Sequence, residues 1–106
     1  MQKFIYPLAN RQLIDVWLWS YDHFGEKQAD KYIDGMRAAI DGLHNTKYSW
    51  RTLKRKELQG IYCIKHQEHF IFFRKFDQDH IGVISVLHGK QDMLRRLQRD
   101  LEEIKR

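Results

Sequence analysis

The sequence predicts an α+β domain: an antiparallel sheet packed on an αα-hairpin, with a further helix at the C-terminus. Three observations lead there. Two consecutive segments with helical periodicity, joined at a single glycine, fill most of the first 45 residues. Three short apolar runs then follow between residues 60 and 87, separated by turns of two or three polar residues. The last fourteen or so residues return to helical periodicity.

Taken in order, Lys3 to Tyr6 reads as a short strand ended by Pro7, the chain's one proline. Proline suits the first turn of a helix, where its missing N–H goes unused. From Leu8 to Phe24, the positions Ala9, Leu13, Val16, Ser20 and Phe24 step by three and four. Ile14, Trp17, Leu18 and Tyr21 form a second stripe, so one face can pack on a sheet and the other on a neighbouring helix. Trp19 lies off both stripes and is expected to be exposed. Gly25 ends this helix. A second helix is expected from Glu26 to about Asn45, with Ala29, Tyr32, Ile33, Met36, Ile40 and Leu43 on one stripe and Asp30 and Asp34 on a solvated face.

Asn45 to Leu58 breaks the pattern as a basic loop. Lys47, Arg51, Lys54, Arg55 and Lys56 stand there against Glu57 alone, with Tyr48 and Trp50 interleaved. Aromatics among cations suit stacking on bases and neutralising phosphates. They equally suit a loop pinned to a sheet edge by its own rings. Gly60–His66, His69–Phe76 and His80–Leu87 are the three strands, with Gln67–Glu68 and Asp77–Gln78–Asp79 as their turns, an antiparallel meander. The central strand is apolar on both faces, so it needs cover on both. Asp92 is a good N-cap for the last helix, whose stripe is Leu94, Leu97, Leu101 and Ile104 with Arg95, Arg96 and Arg99 beside it.

Bulk properties bound the function. A chain of 106 residues with 42% hydrophobic and 31% charged residues is one globular domain, residues 1–106, and not a disordered tail. No run approaches the length of a membrane span, no secretory h-region opens the chain, and the lone Cys63 permits no internal disulfide, so a cytoplasmic protein without a membrane role is expected. The net charge of +5 is uneven: residues 1–46 hold five Lys/Arg against six Asp/Glu, and residues 47–106 hold fourteen against eight. The second half is therefore suited to a polyanion or an acidic protein.

The chemistry of the side chains excludes several classes. No phosphate-binding glycine loop, dinucleotide fingerprint or nucleophile elbow occurs. His66, His69, His80 and His88 lack metal-ligand spacing, and Asp77 and Asp79 read as turn residues, so no metal and no cofactor are expected. A metal-free ribonuclease would need cations and an acid–base group at the scissile phosphate. Arg51, Lys54, Arg74, His88 and Lys90 keep that class open by residue type.

The order strand, αα-hairpin, basic loop, meander, helix carries specific segments. These are Pro7–Leu8–Ala9, Phe24–Gly25–Glu26–Lys27–Gln28–Ala29, Gly60, His69–Phe70–Ile71–Phe72–Phe73–Arg74 and, most specific, Val86–Leu87–His88–Gly89–Lys90–Gln91–Asp92. Over residues 4 to 97 the chain resembles the ParE toxins of the RelE/ParE superfamily. The resemblance implies the toxin of a type II toxin–antitoxin system, with DNA gyrase as target and a cognate antitoxin whose acidic, amphipathic C-terminal segment covers the hairpin and sheet. On that reading the cations of the basic second half, Arg74, His88, Lys90, Arg95 and Arg96, are the candidates for target contact, and the aromatics Trp17, Trp19, Tyr21, Trp50 and Phe70 those for antitoxin contact. Direct nucleic-acid contact through the basic loop, Arg51, Lys54 and Arg55, ranks behind protein contact. RelE relatives cleave mRNA on the ribosome, which makes an interferase using Lys54, Arg74 and His88 the alternative, and a non-toxic binding module the third. The arginine that RelE-type nucleases place early in the central strand is Phe70 here, and no tyrosine follows Tyr62. The chain also departs from ParE toxins, with Tyr62 where an arginine is usual and Phe73 where tyrosine is usual.

Overall fold

The computed structural model describes residues 2–90 and 92–105, with the backbone alone at Gln2 and Lys105. Gln91, within the most specific segment, lies outside the described residues. The elements are β1 (Gln2–Ile5), α1 (Pro7–Phe24), α2 (Glu26–Asp41), β2 (Arg51–Thr52), β3 (Ile61–His66), β4 (His69–Lys75), β5 (His80–His88) and α3 (Met93–Lys105). The sheet order is β1-β5-β4-β3-β2. The meander is antiparallel as expected, and β1 adds a parallel edge, pairing Gln2 with His80 through Ile5 with Val83. The sheet is therefore mixed at that one edge; the connection from β1 to its parallel partner β5 runs through α1, α2 and the strands β2 to β4.

Local chemistry sets the boundaries. Pro7 opens α1 directly after Tyr6, whose N–H donates to the Val83 carbonyl at 3.0 Å. Gly25 turns the chain in one residue. Its N–H donates to Tyr21 O at 2.9 Å and its own carbonyl accepts from Ala29 N at 3.0 Å. Its φ of +89° with ψ of 173° is a conformation that essentially only glycine adopts. α2 ends at Asp41 rather than near Asn45: Gly42 follows, and Leu43–Asn45 tightens into a 3₁₀ turn. The basic segment is more ordered than a loop, with 3₁₀ turns at Lys47–Ser49 and Lys56–Leu58 flanking β2.

The sheet is covered on both faces. On one, Leu13, Val16, Met36 and Ile40 of the hairpin pack on Ile71, Phe73, Val83 and Val86. On the other, Leu97 of α3 and Leu58 pack on Cys63, Phe72, Ile84 and Leu87, with Leu94, Leu101 and Ile104 at the margin. Each fully buried aliphatic or aromatic side chain contributes about 1.5–3 kcal/mol. The chain's own last helix thus closes the second face. The first stripe of α1 is buried except Phe24, 64% exposed; of the second stripe Trp17 is half-buried and reaches Asp30 of α2, while Ile14, Leu18 and Tyr21 stay exposed.

The last strand carries one irregularity. Phe72 pairs with Ser85 but Phe73 pairs with Val83, so Ile84 is an extra residue on β5. Beyond this bulge Leu87 faces α3, while Val86 and His88 face the hairpin.

Candidate functional site

β1 pairs with β5 only as far as Val83. Past that point the edge of β5 has no strand beside it on that side, and a side chain takes the strand's place. Gln12 of α1 accepts the Val86 N–H at 2.7 Å through Oε1, and its Nε2 donates to Asp100 Oδ2 of α3 at 3.0 Å. The Ser85 hydroxyl donates to the same Asp100 oxygen at 2.7 Å, and Arg96 Nε lies 3.4 Å from the other. Gln12, Ser85 and Asp100 are all buried. This network locks α1, β5 and α3 together where the sheet edge opens. It was legible only as polar residues interrupting apolar stretches, Ser85 within Ile84–Leu87 and Gln12 beside Leu13.

Above it lies a groove of about 560 Å³ between α1 and the exit of β5, with Asp15, Trp19, His69, His88, Lys90 and Arg96 on its walls. Its floor is His69, 5% exposed, whose Nδ1 lies 2.7 Å from the Tyr32 hydroxyl. Burial, then the neighbouring His88 and His66, push the His69 imidazole down to about 4, so it is neutral at pH 7. Burial also lowers His66 and raises the Tyr32 phenol. The His88 ring stands edge-on to His69 at 5.0 Å and 6.2 Å from Trp19. His88 Nδ1 accepts the Lys90 N–H at 3.0 Å, which places the ring proton of the neutral form on Nε2. Trp19, 46% exposed and stacked on His23 at 4.2 Å, divides this groove from a second one toward Phe24, Gln28 and Tyr32 that shares His69.

Of the predicted target-facing residues, His88, Lys90 and Arg96 meet in the groove. Arg95 stands outside it, beside Arg99 and Asp92 on the outer side of α3. Arg74 is remote. It pairs with Gly82, six residues before His88 and about 20 Å away along the strand. There it donates to the Tyr6 hydroxyl at 2.7 Å and lies 4.9 Å from the Phe76 ring centroid.

The predicted antitoxin-facing residues divide likewise. Trp17, Trp19 and Tyr21 share α1, with Trp17 stacked on Tyr21 at 5.2 Å and donating to Asp30 at 2.8 Å. Trp50 instead pins the basic segment, donating to Leu43 O at 3.1 Å and packing edge-on to Phe73 at 4.8 Å. Phe70 lies on the α3 side, stacked on Phe72. Sequence reasoning assigned Ile14, Leu18 and Phe24 to packing, yet they extend the exposed apolar face of α1. In the basic segment Arg51, Lys54 and Arg55 are all exposed, and Arg55 donates to Gln98 of α3 at 3.1 Å. Among the described residues no group of three or more His, Cys, Asp or Glu is arranged to hold a metal ion. Asp77 instead accepts the Asp79 N–H at 2.8 Å and lies 2.7 Å from His80 Nδ1, a contact that lowers its carboxyl. No helix among the described residues is long and apolar enough to cross a membrane.

Residues 4–93 match the family model described as the ParE toxin of type II toxin-antitoxin system, parDE. The chain belongs to the ParE toxin family. It is 29% identical over 91 residues to Toxin ParE1 of Mycobacterium tuberculosis, covering 86% of this chain and 92% of that one; two strains carry this relative. Among solved structures, the chromosomal ParDE system from P. aeruginosa superposes with a TM-score of 0.68 over 83% of this chain and 95% of the other, at 13% identity. The toxin–antitoxin complex RelBE2 from Mycobacterium tuberculosis gives 0.59 over 82% and 95%, also at 13%. At that identity these two establish the fold. Most of α3, from Leu94 onward, lies beyond the family match.

Proposed function

We propose that this ParE-family toxin acts in the cytoplasm by binding and inhibiting DNA gyrase without catalysing a reaction, and that a cognate antitoxin neutralises it by covering the exposed face of α1. The observation that carries the non-enzymatic reading is the engagement of His88. A general base in the groove would need a nitrogen lone pair facing the bound partner. His88 Nδ1 accepts from the Lys90 backbone N–H at 3.0 Å, and His69 Nδ1 lies 2.7 Å from the Tyr32 hydroxyl. Arg74 and Lys54, the other interferase candidates, do not line this groove.

The antitoxin reading rests on α1. Ile14, Leu18, Trp19, Tyr21 and Phe24 are 46–64% exposed on a single helix, a patch suited to an amphipathic partner segment. The solved relatives are toxin–antitoxin systems, which supports such a partner here.

Induction of the chain in cells, with and without the neighbouring reading frame, tests this reading. Growth arrest that the neighbour relieves, with messages intact by primer extension, is expected. Cleavage inside reading frames would overturn the non-enzymatic assignment, and normal growth would overturn the toxin assignment.

A further inference from the structure

The fold brings together two cationic runs that are far apart in sequence. Arg51 pairs with Cys63 at the sheet edge, on the side that α3 covers. Leu53 and Leu58 join Leu94 and Leu97 in one cluster, and Arg55 reaches Gln98 at 3.1 Å. The 51–58 segment therefore lies against α3 as one surface. Residues 51–58 and α3 hold eight Lys/Arg against four Asp/Glu; of those carboxylates Asp100 is buried and Glu103 pairs with Arg11 at 3.2 Å. Arg51, Lys54, Arg55, Lys56, Arg95 and Arg99 are all exposed. Arg95 and Arg99 are one helical turn apart, a rise of about 6 Å.

We propose that this rim of 51–56 and α3 binds the phosphate backbone of nucleic acid directly and without sequence preference. Two observations favour a polyanion over an acidic peptide. An amphipathic segment needs apolar anchors, and no large hydrophobic side chain is exposed within 51–58 or on the described part of α3. Among the described residues, five of the eight exposed large hydrophobics are instead on α1, on the hairpin side. The rim is also rich in arginine, whose planar fork matches phosphate oxygens in pairs. The 51–56 half of the rim lies within the matched residues 4–93, and the α3 half, from Leu94 onward, lies beyond them. Phosphate binding at the rim stands independently of gyrase inhibition.

The test is fluorescence anisotropy of the purified full chain with a labelled 20-base-pair DNA duplex and, separately, a single-stranded RNA of equal length, between 50 and 200 mM salt. Contact with about four or five phosphates gives a log affinity against log salt slope near −4 for the duplex. Arg55→Gln/Arg95→Gln/Arg99→Gln should flatten that slope by about 3. The two probes distinguish DNA from RNA as the source of the backbone, and tighter binding of either supports the assignment. Lys27→Gln/Lys31→Gln/Arg37→Gln removes equal charge from α2 and should leave the slope unchanged. An equal loss in that control, or displacement of both nucleic acids by a polyglutamate of matched charge at matched concentration, would overturn it. Circular dichroism confirms that each variant is folded. Gyrase is absent from the assay, so a failure of gyrase inhibition leaves this result standing.

Discussion

Acidification should destabilise this fold through His69, and the size of the effect comes from the structure. The imidazole is 5% exposed, bound to the Tyr32 hydroxyl, and faces His88 and His66, with Glu68 opposing them only weakly. Its folded value of about 4 lies below the ordinary 6.5. Above pH 6.5 both the folded and unfolded chains hold it neutral, and stability is at its full value. As pH falls from 6.5 to 4, the unfolded chain takes up a proton that the folded chain refuses, and stability is lost across that window. A difference of two and a half pH units at 1.36 kcal/mol each gives about 3 kcal/mol. Urea unfolding at intervals from pH 7.5 to 4 would measure it for the native chain and for His69→Asn. The asparagine variant should start lower, having lost ring packing, but fall less steeply below pH 6.5, by about 3 kcal/mol in total. Parallel curves for the two proteins would refute the reasoning.

Three further outcomes rest on particular contacts. Asp100→Ala leaves the Ser85 hydroxyl and the Gln12 amide without their shared acceptor, and should cost about 2–4 kcal/mol by urea melt; an unchanged midpoint would mean that the network does not hold the β5 edge. Gly25→Ala meets no atom within 4 Å, so its cost is backbone strain alone, about 1–3 kcal/mol by thermal melt, with a neutral result contradicting the one-residue turn. Trp19→Ala should weaken antitoxin binding by about 2 kcal/mol, roughly 30-fold by calorimetry, while unfolding stability changes far less because the indole is half exposed; unaltered affinity would move the antitoxin off this part of α1.

Much of the fold was legible because its signals are local. The helical stripe of α2, glycine at the hairpin, the two-residue turn at Gln67–Glu68 and the apolar runs of β3 to β5 each rest on neighbouring residues. The pairing of β1 beside β5 was not legible, since four residues of strand carry no mark of their partner. The bulge at Ile84 was hidden for a similar reason: a continuous apolar run looks the same whether or not it slips by one. That slip decides which way His88 faces. In the site, proximity in sequence placed His88 with Lys90 correctly, but alternation along a strand could not tell that Arg74 ends about 20 Å away. Trp50 and Phe70 were aromatic enough for an interface; both are half-buried, Trp50 packed on Phe73 and Phe70 on Phe72. Conversely, Ile14, Leu18 and Phe24 sit at core spacing, and only the absence of a covering helix leaves them exposed.

The central claim is tested most directly by a DNA gyrase supercoiling assay with the purified toxin, alone and after addition of the neighbouring gene's product. Inhibition at toxin excess, relieved by that product and weakened by His88→Ala/Lys90→Ala, is the predicted result. Unimpaired supercoiling at any excess of a folded toxin that still arrests growth would contradict it.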